Sequence, residues 1–300
     1  MDQLGYACIN NTLRSENPPI HTGRSIIKRN FSLEKVSNLI LNNVHDLYTI
    51  LKWNEDNNIK VFRISSDLFP LKNFLLYNLQ DLPDYDMIRF KLYEIKEYIR
   101  ENEHIISMHP SQFVVLSSPE DNVVKRSIQD LDVHNEILSF LEDDTRYKIN
   151  IHMGGFYDKD YKTISKRFIS NYNKLSLDLQ KRIIIENDDK EKGWNVKRIY
   201  DYVYSEAGIP ITYDYHHAFF SKEKNMSFKK EYKLAKSTWE KKTPNEVHYS
   251  ESNGGANARH HSEYIYKKIP DFILNDSNYI IIEAKQKEMA LLEYRKRFQK

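Results

Sequence analysis

The chain reads as an α/β protein: a single (β/α)8 TIM barrel over residues 1–300, with a metal site at the C-terminal strand ends. Three observations predict this. First, six short runs rich in Ile and Val each stop at a residue able to hold a metal. They are Ile105-Ile106-Ser107-Met108 before His109, Ile149-Asn150-Ile151 before His152, and Ile183-Ile184-Ile185 before Glu186. The others are Ile211-Thr212-Tyr213 before Asp214, Val247 before His248, and Ile280-Ile281-Ile282 before Glu283. Second, successive ends lie 28 to 43 residues apart, about one strand plus one helix per step. Third, no repeat, low-complexity linker or composition break divides the 300 residues, and 40% hydrophobic content suffices for one large core. Runs this short and branched read as buried parallel strands. A barrel brings their C-terminal ends to one face, where residues distant in sequence meet.

Element by element, residues 4–9 form the first strand. Asn30 or Ser32 caps a helix whose apolar positions Leu33, Val36, Leu39, Ile40, Val44, Leu47 and Leu51 keep a 3.6-residue period. Residues 61–64 are strand two, followed by a loop with Ser65, Ser66, Asp67 and Pro70. Residues 87–99 are helical before strand three, and 123–141 before strand four. A third long helix spans 161–179 before strand five. Val196, Ile199, Val203 and Ala207 make a further stripe, closed by Gly208 with Pro210 beyond it. The Lys-rich stretch 220–244 reads as an elaborated loop over the barrel mouth. Lys285, Lys287, Arg295, Lys296, Arg297 and Lys300 read as a solvated face of the outer helix that closes the barrel, rather than as a DNA patch.

Composition bounds the function. Lys plus Arg (45) nearly balances Asp plus Glu (43), so net charge does not imply nucleic acid. It does not exclude it either, because acids committed to metals leave other surfaces more basic. One cysteine, Cys8, rules out an intramolecular disulfide and fits a reducing compartment; it reads as a small buried residue of the first strand. No apolar leader follows Asp2 and Gln3, and no run approaches the ~20 apolar residues of a membrane span. An intracellular protein, cytoplasmic or DNA-associated, is expected. Neither a Gly-x-x-x-x-Gly-Lys-Ser/Thr loop nor a Gly-x-Gly-x-x-Gly is present, so nucleotide-cofactor chemistry has no support.

The residues that carry chemistry are His109, His152, Glu186, Asp214, His217, His248, His261 and Glu283. Imidazoles mixed with carboxylates suit zinc, manganese or iron. Eight ligands exceed the needs of one ion, so two or three divalent ions are expected, with Glu186 able to bridge a pair. His216 and His260 adjoin two of these histidines and compete with them; His134, within a helix, and His21, in a polar loop, read as structural. After His109 the chain continues Pro110-Ser111-Gln112-Phe113. On a pocket floor Phe113 is core; on a loop, the amide and aromatic pair can wedge into a base stack. Gly5-Tyr6-Ala7-Cys8-Ile9-Asn10 ends the first strand with Asn10 toward the same mouth, and Tyr6 reads equally as core or pocket lining.

These stretches together make the chain resemble the UV damage endonuclease family over nearly its whole length. Besides the segments around Tyr6 and His109, the resemblance rests on Phe62-Arg63-Ile64-Ser65-Ser66-Asp67, His152-Met153-Gly154-Gly155 and Glu186-Asn187-Asp188-Asp189. It continues through Asp214-Tyr215-His216-His217, His248-Tyr249-Ser250 and Ile282-Glu283-Ala284-Lys285. What it implies is a TIM barrel related in fold to endonuclease IV, holding manganese or similar ions (zinc, magnesium or cobalt). It further implies incision of damaged double-stranded DNA immediately 5′ of cyclobutane pyrimidine dimers, (6-4) photoproducts and some other distortions, leaving a 3′-hydroxyl; a monomer is expected. The eight residues above match the family's metal ligands. Gln112 and Phe113 match its probing pair, while Tyr6 and Asn10 match residues beside the lesion and scissile phosphate. Glu186, Glu246 and Tyr6 are thereby the candidates for catalytic roles.

The chain departs from the family at two positions. The family has a His shortly after the Pro that follows strand two, where this chain reads Pro70-Leu71-Lys72-Asn73-Phe74. Two residues before the seventh-strand His the family has a Lys, carboxylated in some members, and this chain has Glu246. Glu246 is expected to face the metals as a permanent carboxylate, directly or through a water, with no carboxylated lysine in the site; the bland alternative is a strand-edge Glu facing solvent. Rival readings are an apurinic/apyrimidinic endonuclease of endonuclease IV type, a metal-dependent sugar isomerase, and a non-catalytic lesion-binding barrel.

Overall fold

The branched-chain runs all become strands of four or five residues. They are β1 (Leu4–Ala7), β2 (Val61–Ile64), β3 (Ile105–Met108), β4 (Lys148–His152), β5 (Ile183–Glu186), β6 (Ile211–Asp214), β7 (Glu246–Tyr249) and β8 (Tyr279–Ile282). All pair in parallel in chain order, and β8 closes on β1 through Leu4–Ile280, Gly5–Ile281 and Tyr6–Ile282. Gly5 lets β1 lie close against β2: a Cβ there would lie 2.4 Å from the Val61 carbonyl oxygen. The computed structural model describes residues 3–142, 144–240, 243–254 and 259–299, so Asp2 and Lys300 lie outside the described residues.

Helices occupy the returns: α1 (Asn11–Arg14), α2 (Leu33–Asp56), α3 (Tyr85–Glu101), α4 (Asp121–Leu141), α5 (Tyr161–Tyr172) and α6 (Leu177–Arg182). After them come α7 (Val196–Ile199), α8 (Ser205–Ala207), α9 (Tyr215–Ser221), α10 (Phe228–Lys236), α11 (Asp271–Leu274) and α12 (Lys287–Phe298). Ser32, rather than Asn30, caps α2, its side chain accepting from the Lys35 amide. A π-helical segment, Tyr200–Tyr204, joins α7 to α8, and Gly208 stops the run in the left-handed conformation (φ 65°) that a side chain would strain.

Strand alternation sorts the side chains into two layers. Tyr6, Phe62, Ile106, Ile149, Ile185 and Ile280 point outward and pack with the helices in the main core. Inside the barrel a small apolar layer of Ala7, Val61 and Ile281 forms a second core cluster. The same inward alternation carries Glu186, Asp214, His248 and Glu283 to the open end.

Four expectations change. The first strand stops at Ala7, and Cys8 follows it half-buried at φ 67°. The expected third long helix is two helices, because Ser176 caps α6 by accepting from the Leu179 amide and the intervening turn buries Leu175. The stretch 220–244 is mainly not a loop over the mouth. Its middle is α10, which lies against β6 with the Tyr232 ring 5.8 Å from that of Tyr213. Glu231, Tyr232 and Ala235 form its buried side, with Trp239 buried just past its end, while Lys229, Lys230 and Lys233 face out, so the lysines masked an amphipathic outer helix. Lys241 and Lys242 lie outside the described residues. The basic C-terminal segment behaves as expected: α12 packs Ala290, Leu291 and Tyr294 inward.

Candidate metal centre

Glu186, at the end of β5, is the hub. His109 Nε2 lies 3.1 Å from Glu186 Oε2, His248 Nδ1 also 3.1 Å, and His152 Nε2 3.7 Å from that oxygen; His217 Nδ1 is 3.1 Å from Oε1. Asn150, one inward step down β4, donates to Oε2 as well. Asp214 ends β6 and its Oδ1 accepts from the His217 backbone N–H at 2.6 Å, a cap that turns the chain into α9 and brings His217 over the mouth. Glu283, just past β8, is 3.5 Å from His248 Nδ1 through Oε1 and 3.7 Å from His261 Nδ1 through Oε2. All eight expected ligands thus meet at the C-terminal face. Donor atoms of His109, His152 and Glu186 lie within 4.8 Å of one another, as do those of Glu186, Asp214 and His248.

The proton positions fit cations. A carbonyl only accepts, so His109 donates from Nδ1 to Pro110 at 2.9 Å and His217 donates from Nδ1 to Asn187 at 2.9 Å. His261 donates from Nδ1 to the Glu283 carbonyl at 2.5 Å. His248 donates from Nε2 to Glu246 Oε1 at 2.9 Å. His109 and His248 therefore turn bare ring nitrogens toward the Glu186 carboxylate, an arrangement that repels unless a cation or extra protons intervene. His248 Nδ1, His152 Nδ1 and Asp214 Oδ2 are buried without a hydrogen-bond partner. Imidazoles oriented by an outer carbonyl or carboxylate, with lone pairs converging on carboxylates, are the donor set of a transition-metal site.

Without a cation, protons would compensate in part. Burial opposes charge on His248, yet Glu186 and Glu283 outweigh it and push its pKa up to about 10. Burial lifts the Asp214 carboxyl to about 6, with the negative charges of Glu186 and Glu283 adding to it and the His217 and His248 imidazoles opposing. Burial likewise raises Glu186, but His248, His152 and the hydrogen-bonding His109 and His217 hold it well below the carboxylate range.

The remaining candidates divide. Glu246 is 3% exposed and backs His248 from inside the barrel, so it does not face solvent; it touches the cluster through that imidazole. Phe113 is 78% exposed on the loop after β3, beside exposed Gln112, so the display reading replaces the core reading. Tyr6 does not reach the mouth. It is 0% exposed on the helix side of β1, donating to Asn54 of α2 at 2.7 Å and accepting from Asn10 at 3.0 Å. Asn10 is buried with it and caps α1 by accepting from the Leu13 amide at 2.9 Å. The period of two decides this: Gly5 and Ala7 face inward, which turns Tyr6 outward. His216 is buried against the Arg259 carbonyl (3.1 Å) and His260 is exposed, which favours His217 and His261 as the inward pair. Phe74, at the family's His position, is half-exposed under the Lys28 ammonium at 5.2 Å.

Arg63 went unrecognised as a site residue. It points up the barrel from β2, with Nη2 2.5 Å from Glu283 Oε1 and Nη1 3.4 Å from His248 Nε2. It helps hold Glu283 ionised against the cost of burial. The available signal was an arginine between Phe62 and Ile64, in a strand otherwise apolar.

Fold and site together define a class: a closed (β/α)8 barrel whose strand ends gather imidazoles and carboxylates into a candidate multinuclear metal centre. Within that class the chain belongs to the UvdE family of UV endonucleases, matching the description "UV-endonuclease UvdE" over residues 2–300. It is 33% identical to a UV DNA damage endonuclease of Clostridium perfringens, across 97% of this chain and 69% of that protein. It is 32% identical to a UV-damage endonuclease of Schizosaccharomyces pombe, over 99% of this chain but only about half (51%) of the relative. The crystal structure of SacUVDE superposes with a TM-score of 0.88 at 30% identity, covering 100% of this chain and 98% of the other. Among the described residues no helix is long and apolar enough to cross a membrane.

Proposed function

We propose that this protein is a divalent-metal-dependent endonuclease that nicks damaged double-stranded DNA immediately 5′ of UV photoproducts, leaving a 3′-hydroxyl. The reading takes residues 1–300 as one endonuclease domain, acting as a monomer inside the cell. The observation that carries it is the pairing of the Glu186-centred cluster with an amide and aromatic loop, Gln112-Phe113, displayed beside it. His109, which opens that loop, is itself in the cluster, so wedge and ligand share one strand end.

His109, His152, Glu186, Asp214, His217, His248, His261 and Glu283 would hold two or three ions, with manganese favoured. Bound there, such ions neutralise the phosphodiester's charge, acidify a water and stabilise the leaving oxygen. The chain's residues set the geometry. Pro110, Asn187 and Glu283 carbonyls and the Glu246 carboxylate fix the imidazole tautomers, while Arg63 balances Glu283 from below. A dimer has lost stacking already, so extruding it costs less than the few kcal/mol of a normal base, and Gln112 and Phe113 fill the gap.

The test is incision of end-labelled duplexes, photodimer-bearing, abasic and intact, with manganese and with excess chelator. Metal-dependent nicking 5′ of the dimer is expected. Preference for the abasic duplex would reassign the enzyme to the endonuclease IV type, and metal-independent nicking or none would overturn the reading.

A further inference from the structure

The mouth of the barrel holds a second feature, on the side away from Phe113. Between the start of α9 and the segments that follow β7 is a cavity of about 560 Å³, within the range of small-ligand pockets. Tyr215 and Tyr249 stack at its base with centroids 5.3 Å apart and planes 21° from parallel. Phe219 and Tyr266 stand on its rim, 49% and 54% exposed, with Lys267 and Lys268 beside them.

Its polar groups are organised. The Glu251 carboxylate accepts from the backbone amides of Tyr266 (3.2 Å) and Lys267 (2.8 Å), so it is committed to holding the rim in place. Ser250, only 2% exposed, is among the residues lining the cavity, and its buried Oγ has no hydrogen-bond partner. A buried hydroxyl left in this condition calls for a ligand or water. Lys268 is engaged with Asp271 at 2.8 Å, whereas the neighbouring Lys267 is exposed.

We infer that this cavity receives one unpaired nucleotide of the bound DNA, its base against Phe219 and Tyr266 and its phosphate beside Lys267. Exposed aromatic faces combined with a cation at a rim are how proteins hold single-stranded nucleic acid without reading its sequence. Position supports the assignment and rests on the proposed endonuclease reading. The cavity adjoins the metal centre through His216, which lines it and meets the His261 ring edge-on at 5.5 Å. In the closed order β1 to β8, the strand carrying Phe113 (β3) lies across the barrel from β6 and β7, which carry the cavity. A ring driven into the stack on one side displaces nucleotides, and the cavity lies on the opposite side of the metal centre, within reach of the same strand ends.

The test separates the cavity from the chemistry. A short fluorescein-labelled oligothymidylate, with chelator present, is titrated into the wild type and the Phe219→Ala/Tyr266→Ala double variant, reading anisotropy. Loss of two stacking faces should weaken binding roughly tenfold or more. Tyr266→Trp should retain affinity, and Lys267→Ala should lower the salt slope by about one phosphate contact. Binding by the double variant equal to the wild type overturns the inference, as does failure of the wild type to bind. The readout needs no incision, so a wild type that binds the oligonucleotide but never nicks a photodimer would sink the endonuclease reading and leave the cavity standing.

Discussion

Glu186 touches four imidazoles with its two oxygens, and no other carboxylate of the cluster does so. Glu186→Gln keeps the shape but replaces one anionic oxygen with an amide that donates. We expect loss of bound metal and of incision together; elemental analysis showing full metal content would remove Glu186 as a ligand. Glu246 acts one step further out, orienting His248. Outer partners of this kind are typically worth 10–100-fold in metal affinity or activity, so Glu246→Gln should weaken metal binding by about that range. A variant titrating like the wild type would leave Glu246 a mere barrel filler. Gln112 and Phe113 are exposed on their loop, and among the described residues no hydrogen bond, ion pair or ring contact ties them to the cluster. Changing both to Ala should reduce discrimination between damaged and intact duplex about tenfold or more, with metal content unchanged. Equal discrimination by competition binding would remove the wedge.

At the scale of elements, α10 carries a test of its own packing. Glu231 is fully buried on it, and neither carboxylate oxygen has a hydrogen-bond partner of good geometry. Burial, with some help from Glu223 and against Lys222, pushes its pKa up to about 7 from an ordinary 4.5. A carboxyl whose folded pKa is raised binds its proton more tightly when folded, so its contribution is fully present below about 4.5 and is lost as pH rises through about 7. By linkage the loss is about 3 kcal/mol. Urea unfolding at about pH 5 and 8 should show that decline, and Glu231→Gln should flatten it; an unchanged slope in the variant would place the cause elsewhere. The same helix shows where elements were hard to read. Strands β2 and β3 match their sequence limits, because each is a four-residue run, mostly apolar and almost wholly buried, set off by polar residues on both sides. Helix α10 was hidden because its buried side is a Glu, a Tyr and an Ala among lysines, and the break before α6 depends on one serine cap.

For the whole molecule, the cluster links side chains from six of the eight strand ends, so ions held there brace the barrel across its open end. Ligand present at about a hundred times its Kd adds about 2.7 kcal/mol to folding. Stripping divalent ions should therefore lower Tm by several degrees, and restoring manganese should recover it. A Tm indifferent to chelator would mean that the centre is held by the fold alone. DNA binding should weaken steeply with salt, since net charge is nearly balanced and affinity must come from local phosphate contacts.

The sequence by itself determined the barrel, the order of its strands and the eight residues that gather at its C-terminal face. That information is local: a branched run ended by a His or carboxylate states both a strand and which end of it is functional. The family pattern then separated His217 and His261 from their neighbours. Tertiary structure alone decided the directions side chains take. It turned Tyr6 and Asn10 into the strand–helix layer, put Glu246 behind His248, brought Arg63 under Glu283 and lifted Phe113 into solvent. A side chain's direction depends on alternation counted from a strand boundary, and a shift of one residue in that boundary reverses every assignment. Nor does spacing in the chain reveal what lies across the barrel, which is why the Phe219–Tyr266 cavity appears only once β6 and β7 are closed against the rest.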